Sequence, residues 1–205
     1  MKMISLCVVI AMVLSVMLFA QESEPSETVG YVAYDTVLGV EGRNMNYVAL
    51  PMTPEWTMAS ELGNAYEGLI NAIDSWEATD QIWQTTFIVD ENWIDDYAIE
   101  AAHAYMLNIT DAFTFYSVGT LADDIQYNLV LGVEGRNVNS IMVPLNRPDL
   151  TMADELGTDI GPEVNSVDGW IAATQVWDSA FIVGEDWIDS FPISIGMPLN
   201  VNVTA

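Results

Sequence analysis

Apolar and polar residues alternate along much of the chain with the two-residue period of half-buried strands. In NYVALPM, residues 46–52, Val48, Leu50 and Met52 share one face, as Ile141, Val143 and Leu145 do in NSIMVPL, residues 139–145. Pro51 and Pro144 have no N–H to donate, which places them near strand ends or on an edge. Residues 31–40 predict a preceding strand, joined to 47–52 through the turn LGVEGRN, where Gly42 can take a positive φ. The period then changes. TMASELG, residues 57–63, and TMADELG, residues 151–157, predict a short helix with Thr57 or Thr151 as N-cap and Gly63 or Gly157 as its stop. Met58 and Leu62, and likewise Met152 and Leu156, lie one turn apart and anchor that helix to a sheet. DSWEATDQIW, residues 74–83, and DGWIAATQVW, residues 168–177, predict hairpins that set Trp76 opposite Trp83 and Trp170 opposite Trp177. YMLNIT, 105–110, and LNVNVT, 199–204, predict closing strands.

These elements come in pairs because the chain is duplicated. LGVEGRN stands at residues 38–44 and again, letter for letter, at 131–137, and the later motifs follow in the same order. The organisation expected is a signal peptide at 1–20, a linker at 21–28, a first β-rich unit at 29–112 and a second at 113–205. The fold class expected is mainly β: two tandem β-sandwich or barrel-like repeats, each with one short α-helix.

The N-terminus has Lys2, an apolar run from Met3 to Phe19 and then Ala20 before QESEPSE, the layout of a secretory leader, with an uncleaved anchor as the alternative. Cys7 lies inside that run, so the chain after the leader has no cysteine and its fold rests on packing or bound ions. Charge narrows the partners. Against 30 Asp plus Glu stand 4 Lys plus Arg, a formal net charge of −26. Such a surface repels phosphate backbones and anionic lipid, so nucleic acid and, after leader removal, membranes are not expected partners. Cations, uncharged glycans and neighbouring copies of the repeat suit it better. The expected location is secreted or cell-surface.

The second unit resembles uncharacterised repeats of multimodular exported and cell-surface proteins of bacteria and archaea, whose pattern runs N-x-I-x-x-P-L, a segment ending in L-G, paired Trp, and G-x-P-x-x-V-x-V-T. Here NSIMVPL, DELG and GMPLNVNVT (196–204) carry it, and the first unit departs where AHA, residues 102–104, stands for GMP. The resemblance implies an extracellular module and no particular activity.

Three constellations carry candidate chemistry. Trp76, Trp83 and Asp74, with Trp170, Trp177 and Asp168, form aromatic pairs beside a carboxylate, with Asp74 opposite Thr85 and Asp168 opposite Ser179. Aromatic faces with nearby polar groups suit uncharged sugars, whereas cross-strand aromatic pairs equally suit a core. The acidic loops hold Asp90, Glu91, Asp95 and Asp96, and Glu185, Asp186 and Asp189, an oxygen-rich set of the kind that binds Ca²⁺; a solvated acidic loop is the other reading. Arg43 and Arg136 are expected to satisfy carboxylates or carbonyls at the turn, and His103 is expected to stand without a Ser or second His. With no nucleophile set beside a base, the chain reads as a binding or assembly module and not as an enzyme. A carbohydrate-binding module or a glycan-active enzyme is the alternative.

One strand is left over. FTFYSVG, 113–119, is strongly β-prone and has no counterpart in the other copy. One unit is therefore expected to be a strand short, either because the chain is a piece of a longer array, the favoured explanation, or because the gap is filled between molecules.

Overall fold

The computed structural model describes residues 29–121, 125–133 and 137–204. The expected leader and linker, and the second-copy turn residues Glu134, Gly135 and Arg136, lie outside them. The first half runs β1 (Val29–Asp35), a 3₁₀ turn (Val40–Gly42), β2 (Met45–Ala49), β3 (Met52–Thr53), α1 (Ala59–Ala65), β4 (Ile70–Glu77), β5 (Ile82–Val89), β6 (Asn92–Ile94), β7 (Ala104–Ile109) and β8 (Thr114–Leu121). The second runs β9 (Val138–Met142), α2 (Ala153–Ile160), β10 (Val164–Ile171), β11 (Val176–Val183), β12 (Asp186–Ile188) and β13 (Pro198–Val203).

The protein is mainly β, and its described residues form three antiparallel sheets and two helices. Two sheets are five-stranded and share one order, β2-β7-β4-β5-β6 and β9-β13-β10-β11-β12; the third is β1-β8-β3. None closes on itself, so the barrel-like form expected as one option is not the one adopted. No helix among the described residues is long and apolar enough to cross a membrane.

Each five-stranded sheet buries both faces at its centre. On one face of the first sheet, Val48, Leu50, Ile73, Leu107 and Ile109 pack with Ala59 and Leu62 of α1. Ile141, Val143, Val167, Leu199 and Val201 pack the same way with Ala153 and Leu156 of α2. The alternate residues point the other way, and there Tyr47, Ala49, Ala104 and Met106 of the first sheet meet Met142 of the second. The molecule is thus layered as core, sheet, shared layer, sheet, core. Burial on both faces accounts for the largely apolar sequences of β2 and β7, whereas β13 alternates Leu199, Val201 and Val203 with Asn200 and Asn202. Each fully buried Val, Leu or Ile contributes about 1.5–3 kcal/mol over an exposed one.

Three sequence expectations are corrected. First, β1 and β2 do not form a hairpin: β1 pairs with β8, and β2 pairs with β7. Gly42 has the expected positive φ of 75°, but the loop is held by asparagines rather than by a two-residue turn. Asn46 accepts from Val37 N (2.8 Å) and donates to Val37 O (3.0 Å), while Gly39 N donates to Asn44 Oδ1 (3.2 Å). Asn139 and Asn137 make the same bonds to Val130 and Gly132. Second, Gly63 and Gly157 lie inside their helices and do not end them. They are glycine because an indole lies against each: a Cβ at Gly63 would collide with Trp93, and one at Gly157 with Trp187. Third, Met58 and Met152 hold the N-cap positions, and Thr57 caps nothing. Instead Glu61 reaches back to accept from Thr57 N (2.7 Å), Thr57 Oγ1 (3.0 Å) and Met58 N (3.2 Å), and Glu155 repeats this with Thr151 and Met152.

The β-prone segment after the first unit is β8. It hydrogen-bonds to β1 along its length, with Tyr34 opposite Phe115, and to β3 through Met52 and Thr53. It therefore belongs with first-half strands, although the sequence division at 112 assigns it to the second unit.

Candidate functional site

The hairpins have the register that their sequences imply. Trp76 faces Trp83, with ring centroids 5.1 Å apart, and Trp170 faces Trp177 at 5.0 Å, both pairs edge to face. Asp74 lies opposite Thr85 and Asp168 opposite Ser179. These residues sit on the face of each sheet turned away from its own helix, because Ile73 and Val167 of the alternate set point into the helix-side cores.

What covers that face is the other half of the molecule. Trp76 donates its indole N–H to Val138 O (2.8 Å), and Gln81, at the hairpin turn, donates to Val138 O (2.9 Å) and accepts from Val138 N (2.9 Å). Trp170 and Gln175 do the same to Met45: indole to Met45 O (2.8 Å), amide to Met45 O (2.9 Å), and Met45 N to the Gln175 carbonyl (3.0 Å). Met45 and Val138 begin β2 and β9, the edge strands of their sheets. Each hairpin thus grips the first residue of the other half's exposed edge, where unpaired backbone would otherwise invite another strand. The fit is close at Gly39, where a Cβ would lie 2.6 Å from Gln175 Cγ. Both glutamines take a positive φ, 55° at Gln81 and 56° at Gln175, and both are buried.

Neither a core plug nor an open platform describes the tryptophans. Trp76 and Trp170 lie in the contact between halves, while Trp83 and Trp177 form its rim at 38% and 37% exposure. Tyr47 packs edge-on to Trp177, with centroids 5.7 Å apart, and its hydroxyl bonds Ser140 Oγ and Asn200 Oδ1. Burial raises the pKa of Asp74 and of Asp168; the Thr85 hydroxyl opposes this at Asp74, and those of Ser179 and Ser166 at Asp168. The two candidate sets therefore occupy separate places, each over the other half's edge strand.

Two grooves flank this contact. One of about 280 Å³ lies between Tyr34, Asn46, Tyr47, Trp170 and Met197. The other, about 300 Å³, holds Trp76, Glu77, Glu100 and a pair that the sequence reading missed, Ser75 Oγ and His103 Nε2 at 2.9 Å. His103 is thus not without a serine. Burial lowers its pKa, partly opposed by Glu100 and Glu77. Ser75 is itself buried, and the matching residues in the second half are Gly169 and Met197, so the pair is confined to the first half. At Gly169 a Cβ would come within 2.7 Å of the Phe191 ring.

The acidic loops serve the helices. Asp96 accepts from Ser60 N (2.9 Å) and Ser60 Oγ (2.5 Å) at the start of α1. In the second half the two partners are exchanged: Asp154 is on the helix and Ser190 on the loop, and they bond to each other in the same place. Asp90, Glu91, Asp95 and Asp189 all take positive φ in tight turns, and Gly184, which precedes Glu185 and Asp186, does too. Among the described residues no three of His, Cys, Asp and Glu gather as a metal ion would require. Trp93 packs over α1 and bonds Asn64 Oδ1 (2.9 Å). Arg147, in contrast, is held by Asp149 and Asp159 at 2.9 and 2.6 Å, which ties the loop before α2 to the helix. Arg43 forms no ion pair with a described residue, contrary to one of the two roles expected of it.

A scan against protein-family models found no match to this chain, and searches of curated proteins and of solved structures found none either.

Proposed function

We propose that this protein is a secreted or cell-surface tandem-repeat module that acts by binding or assembly and not by catalysis. The observation that carries this reading is the reciprocal grip of Trp76 and Gln81 on Val138 and of Trp170 and Gln175 on Met45. Identical side chains in both copies serve to dock one repeat on another. The apolar leader and the acidic surface support export, as does the resemblance to exported repeats. Glycan binding at Trp83 and Trp177 is the second reading, favoured by their half-exposed rims. It is the weaker, because the paired Trp76 and Trp170 are covered by the other half.

The test has two arms on the full chain. Expressed in a bacterial host, it is expected in the envelope or the medium with residues 1–20 removed, and cytoplasmic retention with an intact N-terminus overturns export. Incubated with chromogenic glycosides and esters, it is expected to turn over none. Turnover that disappears in Ser75→Ala or Asp74→Asn overturns the non-catalytic reading.

A further inference from the structure

Each half has a five-stranded sheet, a helix and a core, but among the described residues only the first has a further sheet, β1-β8-β3. In the first half Phe115 is fully buried, its ring 6.1 Å from Tyr34, 6.4 Å from Trp56 and 5.3 Å from Tyr66, and Phe113 lies 5.1 Å from Tyr66. The second half has the receiving side of this arrangement. Tyr127 matches Tyr34, and the two hydroxyls make matched bonds across the molecule: Tyr34 to Gly196 O (2.8 Å), Tyr127 to Ala102 O (3.0 Å). Leu150 stands where Trp56 does and Ile160 where Tyr66 does. Leu129 replaces Thr36, whose N–H and hydroxyl hold Phe113 in the first half.

No described residue stands where Phe113 and Phe115 would. Two adjoining grooves, about 180 and 580 Å³, share Tyr127, Leu129 and Ile160 as lining. Residues 125–129 form no backbone–backbone hydrogen bond with another described residue, whereas β1 is paired along its whole length. The counterpart of β3 at residues 145–146 is a turn and not a strand.

We propose that this groove is a strand acceptor. It takes one extended, uncharged strand with aromatic residues at alternate positions, supplied by another polypeptide in which that strand is not already paired. The strand would add antiparallel to residues 125–129 and seat its aromatics over Tyr127 and Ile160, continuing in the second half the β1-β8 contact of the first. Charge agrees: FTFYSVGTL, 113–121, has no charged side chain, and Glu163 on the groove wall disfavours an acidic strand, whereas Asp159 there is paired with Arg147. The β8 of a second copy is a poor donor, because Phe115 would have to leave its own fully buried site. This inference rests on the binding-and-assembly reading and names the partner's chemistry.

The probe is a synthetic peptide of residues 112–121 with a neutral fluorophore, added to the full chain. Saturable binding is expected, with slowed amide exchange at residues 125–129 and not at β1. A peptide with alanine in place of Phe113 and Phe115 is expected to bind about tenfold more weakly or worse. Leu129→Asp in the protein is expected to abolish binding, and the alanine peptide keeps the test valid if that variant unfolds. No saturable binding, equal binding of the alanine peptide, or protection confined to β1 overturns the proposal. So does a dimer of the chain that the peptide dissociates, since the occupant is then a second copy. Failure of the peptide leaves export and lack of turnover as they were found, whereas turnover sinks the broader reading whatever the peptide does.

Discussion

Phe115 in the first half and the open groove around Tyr127 in the second occupy matching ground, and both halves build the same five-stranded sheet beside it. The comparison separates what the sheet needs from what it carries. Helix, five-stranded sheet and shared layer are present in both halves, so the five-stranded sheet forms with or without the third sheet beside it.

The largest effect expected sharpens that contrast directly. Phe115→Ala empties a fully enclosed aromatic site and is expected to cost about 3–5 kcal/mol in denaturant unfolding, whereas Ile160→Ala at the matching groove costs no more than about 2 kcal/mol. Equal losses would mean that the groove is already packed. Next, Gly63→Ala and Gly157→Ala drive a methyl into Trp93 and Trp187, and each is expected to cost about 3 kcal/mol; a difference between halves would show that one helix can shift and the other cannot. Gln81→Ala and Gln175→Ala each leave a backbone N–H without its partner and are expected to cost about 1–3 kcal/mol. Their double variant should depart from additivity, because both act on one contact.

Smaller effects come from charge. Burial raises the folded-state pKa of Asp74 and Asp168, so their ionised form opposes folding: the cost is full above the folded pKa and vanishes below the unfolded value. Asp74→Asn and Asp168→Asn are therefore expected to raise the melting temperature near about pH 7, with the gain fading as pH falls into the usual carboxylate range around 4. Glu61 and Glu155 run oppositely. Their hydrogen bonds from Thr57 and Met58, or Thr151 and Met152, lower the pKa, so their contribution is present above the unfolded value and lost as pH falls through the folded one. A gain from Asp74→Asn that persists unchanged in acid would contradict the burial of that carboxylate. The smallest expected difference is between Ca²⁺ and Mg²⁺ at equal ionic strength. Both should raise the melting temperature alike by screening a chain of net charge −26, and a larger shift with Ca²⁺ would place a site in the acidic loops.

Much of the sheet was legible in the sequence because hairpin pairing is local. Glu77 opposite Ile82 follows from loop length alone, and Trp76 opposite Trp83 follows from that. The pairing of β1 with β8 was not legible, since β1 and β8 lie most of the first half apart in the chain and alternation says only that a face is buried, not by what. The tryptophans were ambiguous for the same reason. One available signal went unread: Trp, Gln and Trp keep their spacing in WEATDQIW, 76–83, and WIAATQVW, 170–177, while all but one of the residues between them change, as expected for side chains that meet a common target. The exchange of Ser60 and Asp96 for Asp154 and Ser190 was another, a pair preserved with its members swapped.

The grip between halves has a consequence for the symmetry of the molecule. Each half carries both the hairpin that holds and the edge strand that is held, so Trp76 meets Val138 as Trp170 meets Met45. An interface with that reciprocity is isologous, the kind formed by two identical subunits about a two-fold axis. Each half therefore presents both members of the contact, Trp76 with Met45 in the first and Trp170 with Val138 in the second. The two halves differ away from that contact, at Ser75 and His103 on one side and at the groove around Tyr127 on the other.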